Sequence, residues 1–217
     1  MSAIFRLDRA GGALFDGAGR RFDAVTQQWI ASSGGAPERC QSVDVVAAVT
    51  WLQRDSGHPL RQPIGVIGPR ESNASQMSVA FEIGERLARC GLVVVCGGRQ
   101  GVMQAVCEGV AKGNGLSIGL LPDADPAPAN PFVGVILATG IGEARNALIA
   151  RAAFCLIAIG DSFGTLSEVA LGRQFGKRVI GLASAASVAG VIHLPSAQAA
   201  HEHVSRLVLA LDDAPKA

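Results

Sequence analysis

Aromatic rings and lysines are scarce in this sequence. The chain of 217 residues has no tyrosine, eight phenylalanines and two tryptophans, and its net charge is +1. A groove for single-stranded nucleic acid uses aromatic rings along a basic track, so this composition disfavours one. The lysines are Lys112, Lys177 and Lys216. Lys112 and Lys177 fall at the ends of predicted helices, so chemistry through a lysine Schiff base is not expected. The other basic residues are arginines, whose planar guanidinium group suits phosphate.

Paired cysteines and membrane segments are also missing from the sequence. The five cysteines form no C-x-x-C motif and lie mostly in apolar stretches, which indicates buried thiols in a reducing compartment. The amino-terminal MSAIFRLDRAGG carries charges where a signal peptide has its apolar segment. No uncharged apolar run reaches the roughly 18 residues that a membrane helix needs. We therefore expect a cytoplasmic protein with no membrane segment.

Short apolar runs alternate with helical patterns from Pro63 onward, and glycine marks most of the changes. The runs from Val93 to Cys96 and from Leu156 to Ile159 lack polar positions, as strands buried on both faces do. This alternation predicts an α/β fold in which a doubly wound parallel sheet carries helices on both faces. The predicted strands lie in PIGVIGPR, GLVVVCGG, LSIGLLP, PFVGVILATG, FCLIAIGD and RVIGLAS.

Residues 1–60 show a different pattern, because apolar and polar residues alternate weakly around Asp16 and Gly17. That pattern predicts a small β-hairpin or meander, which an amphipathic helix follows before Gly57. We therefore expect an N-terminal β-rich extension with a helix, residues 1–60, and a larger Rossmann-like domain, residues 61–217.

The helix after the first strand of the larger domain has recognisable ends. Asn73 and Gln76 have the spacing of a capping box, and Gly91 is placed to end the helix. Its periodicity predicts one buried face. The residues of that face are Met77, Ala80, Ile83, Gly84 and Leu87.

Three glycine-containing loops follow predicted strands, at the carboxyl edge of the sheet. There, loops lead into helix N-termini, whose free N–H groups favour anions. Glycine lets the backbone approach a phosphate, although ordinary α/β turns also use it. Three such loops at one edge favour a ligand site, and Ser162 and Thr165 add hydroxyl donors to the third loop. The predicted ligand contacts are Gly68, Arg70, Gly97, Gly98, Arg99, Gly101, Val102, Met103, Asn146, Gly160, Asp161, Ser162, Phe163, Gly164 and Thr165.

Glu168 has two interpretations. Thr165 and Glu168 have the spacing of a capping box, in which the carboxylate accepts from the N–H of Thr165, and spacing alone favours this one. In the other, the carboxylate lies at the mouth of the crevice, as a general base or a stabiliser of positive charge on a ribose during N-glycosidic cleavage. Arg145 lies near the start of a helix, where the helix dipole does not stabilise a cation. A nearby anion explains Arg145 better.

Three segments at this order and spacing resemble a known superfamily: VCGGRQGVMQAVCEGVAKGNGLSIGLLP, GIGEARNALIARAA and IAIGDSFGTLSEVAL. The chain from about Pro63 to Ser184 resembles the Rossmann-type superfamily that contains the Lonely Guy phosphoribohydrolases and the molybdenum-cofactor carrier proteins. The hydrolase branch implies cleavage of a nucleoside monophosphate into free base and ribose 5-phosphate. Arg145 and Glu168 would be its catalytic residues, and Gly164-Thr165 its phosphate site. Relatives are often labelled lysine decarboxylases, a label that the placement of the lysines opposes.

The sequence departs from the hydrolase branch at two motifs. The Pro-Gly-Gly-x-Gly-Thr loop of those enzymes reads IGDSFGT here, with Asp161 and Ser162 in place of glycines, and their Met-x-x-Arg-Lys helix start reads GEARN. The pair of Arg145 and Asn146 and the GTLSE ending are closer to the carrier branch, which binds a phosphorylated pterin without breaking a bond. The interpretations are therefore a carrier-like protein, a phosphoribohydrolase and, less favoured, a single-stranded DNA binder similar to DNA-processing protein A.

The resemblance also implies which partners the protein has. The expected partner is a phosphorylated small molecule, either a nucleotide or a molybdopterin-type ligand, and no cofactor is required. The expected assembly is a homodimer or a tetramer, and neither nucleic acid nor a membrane is an expected partner. No metal site is expected, because His201 and His203 are two positions apart on a predicted helix and point in different directions.

Overall fold

The computed structural model describes residues 4–212, which fold into two compact units. One unit comprises residues 4–60 with residues 202–212, and the other comprises residues 61–201. The sequence pattern alone assigns residues 202–212 to the second domain. In the structure they belong with the first unit, where the indole Nε1 of Trp29 donates a hydrogen bond of 2.7 Å to the carbonyl oxygen of Leu209.

The first unit contains an antiparallel sheet of five strands and one helix. Its elements are β1 (Phe5–Asp8), β2 (Ala13–Phe15), β3 (Arg21–Asp23), β4 (Gln28–Ile30), β5 (Gln41–Val43) and α1 (Val45–Arg54). The strand order is β4-β3-β2-β1-β5. The predicted hairpin is formed by β2 and β3, whose connecting turn is held by Asp16 accepting from the N–H groups of Ala18 and Arg20.

The second unit contains a parallel sheet of seven strands. Its first elements are β6 (Ile64–Ile67), α2 (Ala74–Cys90), β7 (Val94–Cys96), α3 (Val102–Lys112), β8 (Ser117–Leu121) and β9 (Val135–Ala138). A one-turn 3-10 helix (Gly142–Ala144) then leads into α4 (Arg145–Ala152), β10 (Leu156–Ile159), α5 (Phe163–Gln174), β11 (Val179–Leu182) and β12 (Val191–His193). The last helix, α6 (Ala197–Val208), begins in this unit, and its residues from Glu202 onward belong to the first unit. The predicted doubly wound α/β fold with an N-terminal β extension is confirmed.

The order of the strands fixes where a ligand site can form. The sheet has the order β12-β11-β10-β6-β7-β8-β9, and every neighbouring pair is parallel. The chain winds outward from β6 through β7 to β9 on one side, and from β10 to β12 on the other. The connections leaving β6 and β10 therefore run in opposite directions and open a crevice at the carboxyl ends of these strands. In open α/β sheets this switch point is the usual ligand position.

The helices pack in pairs. α2 lies against α3, and α4 lies against α5. Ile149 of α4 and Val169 of α5 belong to a buried cluster with Ile67 of β6 and Leu156 and Ala158 of β10. The strands β6 and β10 are fully buried and apolar, which explains why their sequences show no alternation of polar and apolar residues.

The ends predicted for α2 are confirmed, but one of its core positions is wrong. The side chain of Asn73 accepts from the N–H of Gln76 at 2.9 Å, and the side chain of Gln76 accepts from the N–H of Asn73 at 3.1 Å. Gly91 ends the helix with a left-handed φ of 89°. Met77 is 42% exposed, because it lies in the first turn of α2, before the buried stripe begins at Ala80.

The burial of the cysteines agrees with the apolar stretches in which they lie. All five cysteines are free, and four of them are buried. Within residues 4–212, no helix combines the length and the apolar character that crossing a bilayer requires.

The contact between α2 and α3 yields a stability prediction. A Cβ on Gly109 would overlap the carbonyl oxygen of Phe81 and lie 3.0 Å from the backbone nitrogen of Glu85. Gly109→Ala should therefore lower the free energy of unfolding by about 1–3 kcal/mol, since the two helices must separate.

Gly164→Ala is the control for this test, because Gly164 lies in α5 with free space around a Cβ. Chemical denaturation should show no loss of stability for this control. Equal stabilities of the two variants would contradict the close approach of α2 and α3.

Candidate functional site

A cavity of about 520 Å³ opens at the switch point of the sheet. This volume lies in the range of small-molecule sites. Its walls come from the loops after β6, β7 and β10 and from the first turns of α4 and α5. The lining residues are Ile67, Gly68, Pro69, Arg70, Gly97, Met103, Glu143, Arg145, Asn146, Ser162, Phe163, Gly164, Thr165, Ser167 and Glu168.

Most of the residues predicted from the sequence meet in this cavity. The structure places these eleven in its lining: Gly68, Arg70, Gly97, Met103, Arg145, Asn146, Ser162, Phe163, Gly164, Thr165 and Glu168. Six others lie outside the lining: Gly98, Arg99, Gly101, Val102, Gly160 and Asp161.

Arg99 is occupied elsewhere. Its guanidinium group forms a short ion pair with Asp123, and this hydrogen bond lowers the pKa of the Asp123 carboxyl. The positive charge of Arg70 acts in the same direction on that pKa. Because Arg99 neutralises Asp123, Arg70 remains at the cavity wall without an ion-pair partner among the described carboxylates. A hydrogen-bonded ion pair is a geometric feature that the loop sequence alone does not reveal.

The other residues outside the lining have structural roles or face solvent. Gly101, at φ 69°, packs against the carbonyl oxygens of Pro69 and Arg70, and Val102 donates its N–H to Pro69 at 3.1 Å. These contacts tie the loop after β7 to the loop after β6. Asp161 is exposed outside the lining, which reduces its repulsion of an anion in the cavity.

Gly98 and Gly160 occupy positions where the backbone conformation and close packing favour glycine. Gly98 has a φ of 72°, and a Cβ there would lie 3.0 Å from the Cα of Gly119. Gly160 has a φ of 66°, and its Cα faces the side chain of Gln76. Both positions favour glycine for turn geometry and close packing.

The N-terminus of α5 presents hydrogen-bond donors to the cavity. Ser162 is the N-cap, and its hydroxyl accepts from the N–H of Thr165 at 3.1 Å. Phe163 and Gly164 are the first two helical residues, so their N–H groups have no partner within the helix. A Cβ on Gly164 would meet only the hydroxyl of Ser162, at 3.8 Å. The backbone at Gly164 is therefore open to a bound group.

This geometry rules out one interpretation of Glu168. The capping box of Thr165 and Glu168 is wrong, because α5 begins earlier and its cap is Ser162. Thr165 is the third residue of the helix, and its hydroxyl lies 2.9 Å from that of Ser162. Glu168 therefore lies farther into α5, where its side chain faces the cavity and α4.

Arg145 and Glu168 form a buried pair across α4 and α5. The Nη1 of Arg145 lies 3.2 Å from the Oε1 of Glu168, and each side chain is 7% exposed. Burial raises the pKa of Glu168 to about 8, although Arg145 lowers it; the nearby carboxylate of Glu143 also raises it. Glu168 is therefore mainly protonated at neutral pH, and the pair keeps the positive charge of Arg145.

Gly97 makes room for this arginine. A Cβ at Gly97 would lie 2.5 Å from the Nη2 of Arg145 and 2.6 Å from the sulfur of Met103. The Nε of Arg145 is buried without a hydrogen-bond partner in the described chain. The loop after β7 thus confines a positively charged group that has unused hydrogen-bonding capacity.

Two lining residues with polar side chains, Glu143 and Ser167, were missing from the prediction. The hydroxyl of Ser167 accepts from the Nδ2 of Asn146 at 3.0 Å and donates to the carbonyl oxygen of Gly164 at 2.7 Å. This chain joins α4 to the first turn of α5. Their helical spacing was the available signal, because Glu143 lies three residues before Asn146 and Ser167 three residues after Gly164. The apolar Ile67 and Pro69 complete the set that was missed.

The fold is that of a Rossmann-like protein, and a cavity of small-molecule size lies at its switch point. The chain belongs to the SLOG cluster4 family, whose model matches residues 61–211. An uncharacterized protein of Archaeoglobus fulgidus is 38% identical over 119 residues, which span 55% of this chain and 78% of that protein.

Two solved structures are similar over about two thirds of the chain. The molybdenum cofactor binding protein from Rippkaea orientalis is 31% identical, with a TM-score of 0.65, and the match covers 69% of this chain and 99% of that one. The molybdenum cofactor carrier protein from Chlamydomonas reinhardtii is 28% identical, with a TM-score of 0.62 and coverage of 69% and 99%. The resemblance to the carrier branch is confirmed.

The buried Glu168 yields a prediction about stability and pH. Its pKa in the folded protein exceeds the ordinary value of 4.5, so the folded state holds a proton that the unfolded state has released. The contribution of Glu168 to the free energy of unfolding is fully present at acid pH and is lost as the pH rises from about 4.5 to about 8. The loss should be on the order of a few kcal/mol.

Glu168→Gln mimics the protonated form and should remove this decline. Denaturant titrations of the parent protein and of Glu168→Gln between pH 5 and pH 9 measure how the free energy of unfolding of each depends on pH. Arg145 and Glu143, the charged neighbours of this position, are unchanged in both proteins. Parallel stability profiles for the two proteins would show that Glu168 is not protonated in the folded state.

Proposed function

We propose that this protein binds a phosphorylated, nucleotide-like ligand in the cavity at the switch point and carries it without breaking a bond. The ligand is a nucleoside monophosphate or a molybdopterin-type compound. The observation that carries this proposal is the open N-terminus of α5 beside the buried, positively charged Arg145. The N–H groups of Phe163 and Gly164 are donors for phosphate oxygens, and the helix dipole favours the negative charge.

The charges of the cavity support a phosphoryl ligand. Because Glu168 is mainly protonated at neutral pH, the positive charge of Arg145 is not cancelled by its neighbour. Arg70 adds a second positive charge at the wall. A phosphate dianion would compensate both charges and occupy the donors of α5.

Three further observations fit a carried ligand of this kind. Gly164 leaves open a space that a Cβ would fill, Arg145 has an unused donor at Nε, and the two similar solved structures are described as binding or carrying the molybdenum cofactor. Phe163 is the one aromatic ring in the described lining, so a single-stranded DNA groove with several stacking rings is not supported. The homodimer or tetramer and the cytoplasmic location stay predictions.

One observation favours a second function, hydrolysis of a nucleoside monophosphate. A protonated Glu168 in contact with Arg145 has the chemistry of a general acid, able to protonate a leaving base during N-glycosidic cleavage. The carried-ligand proposal needs no such step, because the proton on Glu168 also removes the negative charge that would neutralise Arg145. Binding and turnover measurements separate the two functions.

Gly164→Ala tests the phosphate position. The added methyl group would occupy the space beside the free N–H groups of α5, so the affinity for GMP should fall about tenfold or more while stability is unchanged. Isothermal titration calorimetry gives the affinity.

Gly34→Ala is the matched control for that measurement, because Gly34 has nothing within 4 Å of a Cβ and lies outside the cavity. It should bind GMP as the parent protein does. Undiminished binding by Gly164→Ala would refute the placement of phosphate at α5.

Turnover distinguishes carriage from hydrolysis. The protein incubated with AMP, GMP, CMP and isopentenyladenosine monophosphate should release no free base or ribose 5-phosphate, as followed by chromatography. Release that disappears in Glu168→Gln would instead establish a phosphoribohydrolase with Glu168 as a catalytic residue.

A further inference from the structure

Part of the cavity wall accepts hydrogen bonds rather than donating them. Glu143 lines the cavity from the 3-10 turn before α4, and its carboxylate makes no ion pair with a described cation. Its charge acts on Glu168 inside the cavity, where it raises the pKa of that carboxyl. Glu143 is exposed to solvent, so it is a free acceptor at the wall of the cavity.

Asn146 adds a second acceptor on the same side. Glu143 and Asn146 are three residues apart where the 3-10 turn continues into α4, so their side chains share a face. Asn146 is 5% exposed, and its Oδ1 has no hydrogen-bond partner in the described chain. The bond from its Nδ2 to Ser167 fixes the orientation of the amide. A buried oxygen of this kind is costly unless something donates to it.

A free carboxylate is unfavourable for a ligand that carries phosphate alone, because like charges repel. A ligand with N–H donors on this side of the cavity would offset that repulsion and satisfy both acceptors. A carboxylate can accept two parallel N–H bonds, and such charge-assisted bonds are the strong ones.

We propose that Glu143 and Asn146 recognise two adjacent N–H donors on the heterocycle of the ligand, namely the ring N–H and the exocyclic amine of a guanine-type edge. This inference rests on the proposed function, because it assumes that the phosphate of the same ligand lies at the N-terminus of α5. Adenine does not offer this edge, since its ring nitrogen beside the amine is an acceptor. Guanine and pterin rings both do.

Calorimetric titration with GMP, IMP, AMP and neopterin monophosphate tests the inference. IMP keeps the ring N–H but lacks the amine, and AMP has an amine beside a ring nitrogen that carries no hydrogen. GMP and neopterin monophosphate should each bind about tenfold or more tightly than IMP and AMP. IMP and AMP each lack one of the two N–H donors and therefore lose a charge-assisted bond. Whichever of GMP and neopterin monophosphate binds more tightly identifies whether the ring belongs to a nucleotide or to a pterin.

Glu143→Gln should bring the GMP affinity close to that of IMP. The amide NH2 of the glutamine would face an N–H donor of the guanine, so one hydrogen bond would be lost. Glu108→Gln is the matched control: it removes one carboxylate from an exposed position of α3 outside the cavity and should leave every affinity unchanged. Equal binding of all four ligands, or a GMP preference that survives Glu143→Gln, would overturn the inference and leave the proposed function standing. Failure of all four to bind would overturn both.

Discussion

The buried contact between Arg145 and Glu168 is the constraint on which the rest of the site depends. Removing two charged groups from water is costly, and a single hydrogen bond of 3.2 Å compensates little of that cost. The protein lowers the cost by keeping the proton on Glu168. The positive charge of Arg145 is then not neutralised by its neighbour, and Gly97 must lack a side chain for the guanidinium group to fit. In the proposed function, an anionic ligand completes this arrangement.

The fold separates two kinds of hydrogen-bonding groups within one cavity. Donors come from the free backbone of α5, and their position follows from the strand order, which brings β6 and β10 together and opens the crevice above them. Acceptors come from the turn that leads into α4, at Glu143 and Asn146. The bonds from Asn146 to Ser167 and from Ser167 to Gly164 hold the two elements in register. The proposed ligand is therefore negative at one end and rich in N–H groups at another.

The sequence was informative wherever the deciding pattern was local. Continuous apolar runs identified strands buried on both faces, and glycines after those strands identified the loops that form the cavity. Arg145 and Glu168 stood out because a charged residue on an otherwise apolar helix calls for an explanation. Each of these signals lies within one turn or one strand, so no knowledge of distant contacts was needed.

The remaining features depend on contacts between elements. Arg99 was assigned to the ligand because nothing in its loop indicates that Asp123, from the segment after β8, pairs with it. Thr165 was assigned as a cap because Ser162 and Thr165 have similar capping ability, and the exact first turn of α5 decides between them. Glu143 was missed, because its free carboxylate is recognised only once the walls of the cavity are assembled.

A crystal structure of the protein with ribose 5-phosphate bound is the most direct test of the central claim, that the cavity holds a phosphoryl group at the N-terminus of α5. The account predicts phosphate oxygens within hydrogen-bond distance of the N–H groups of Phe163 and Gly164, on the side of the cavity that Arg145 occupies. A phosphate bound at another surface, with the N-terminus of α5 facing only solvent, would contradict it.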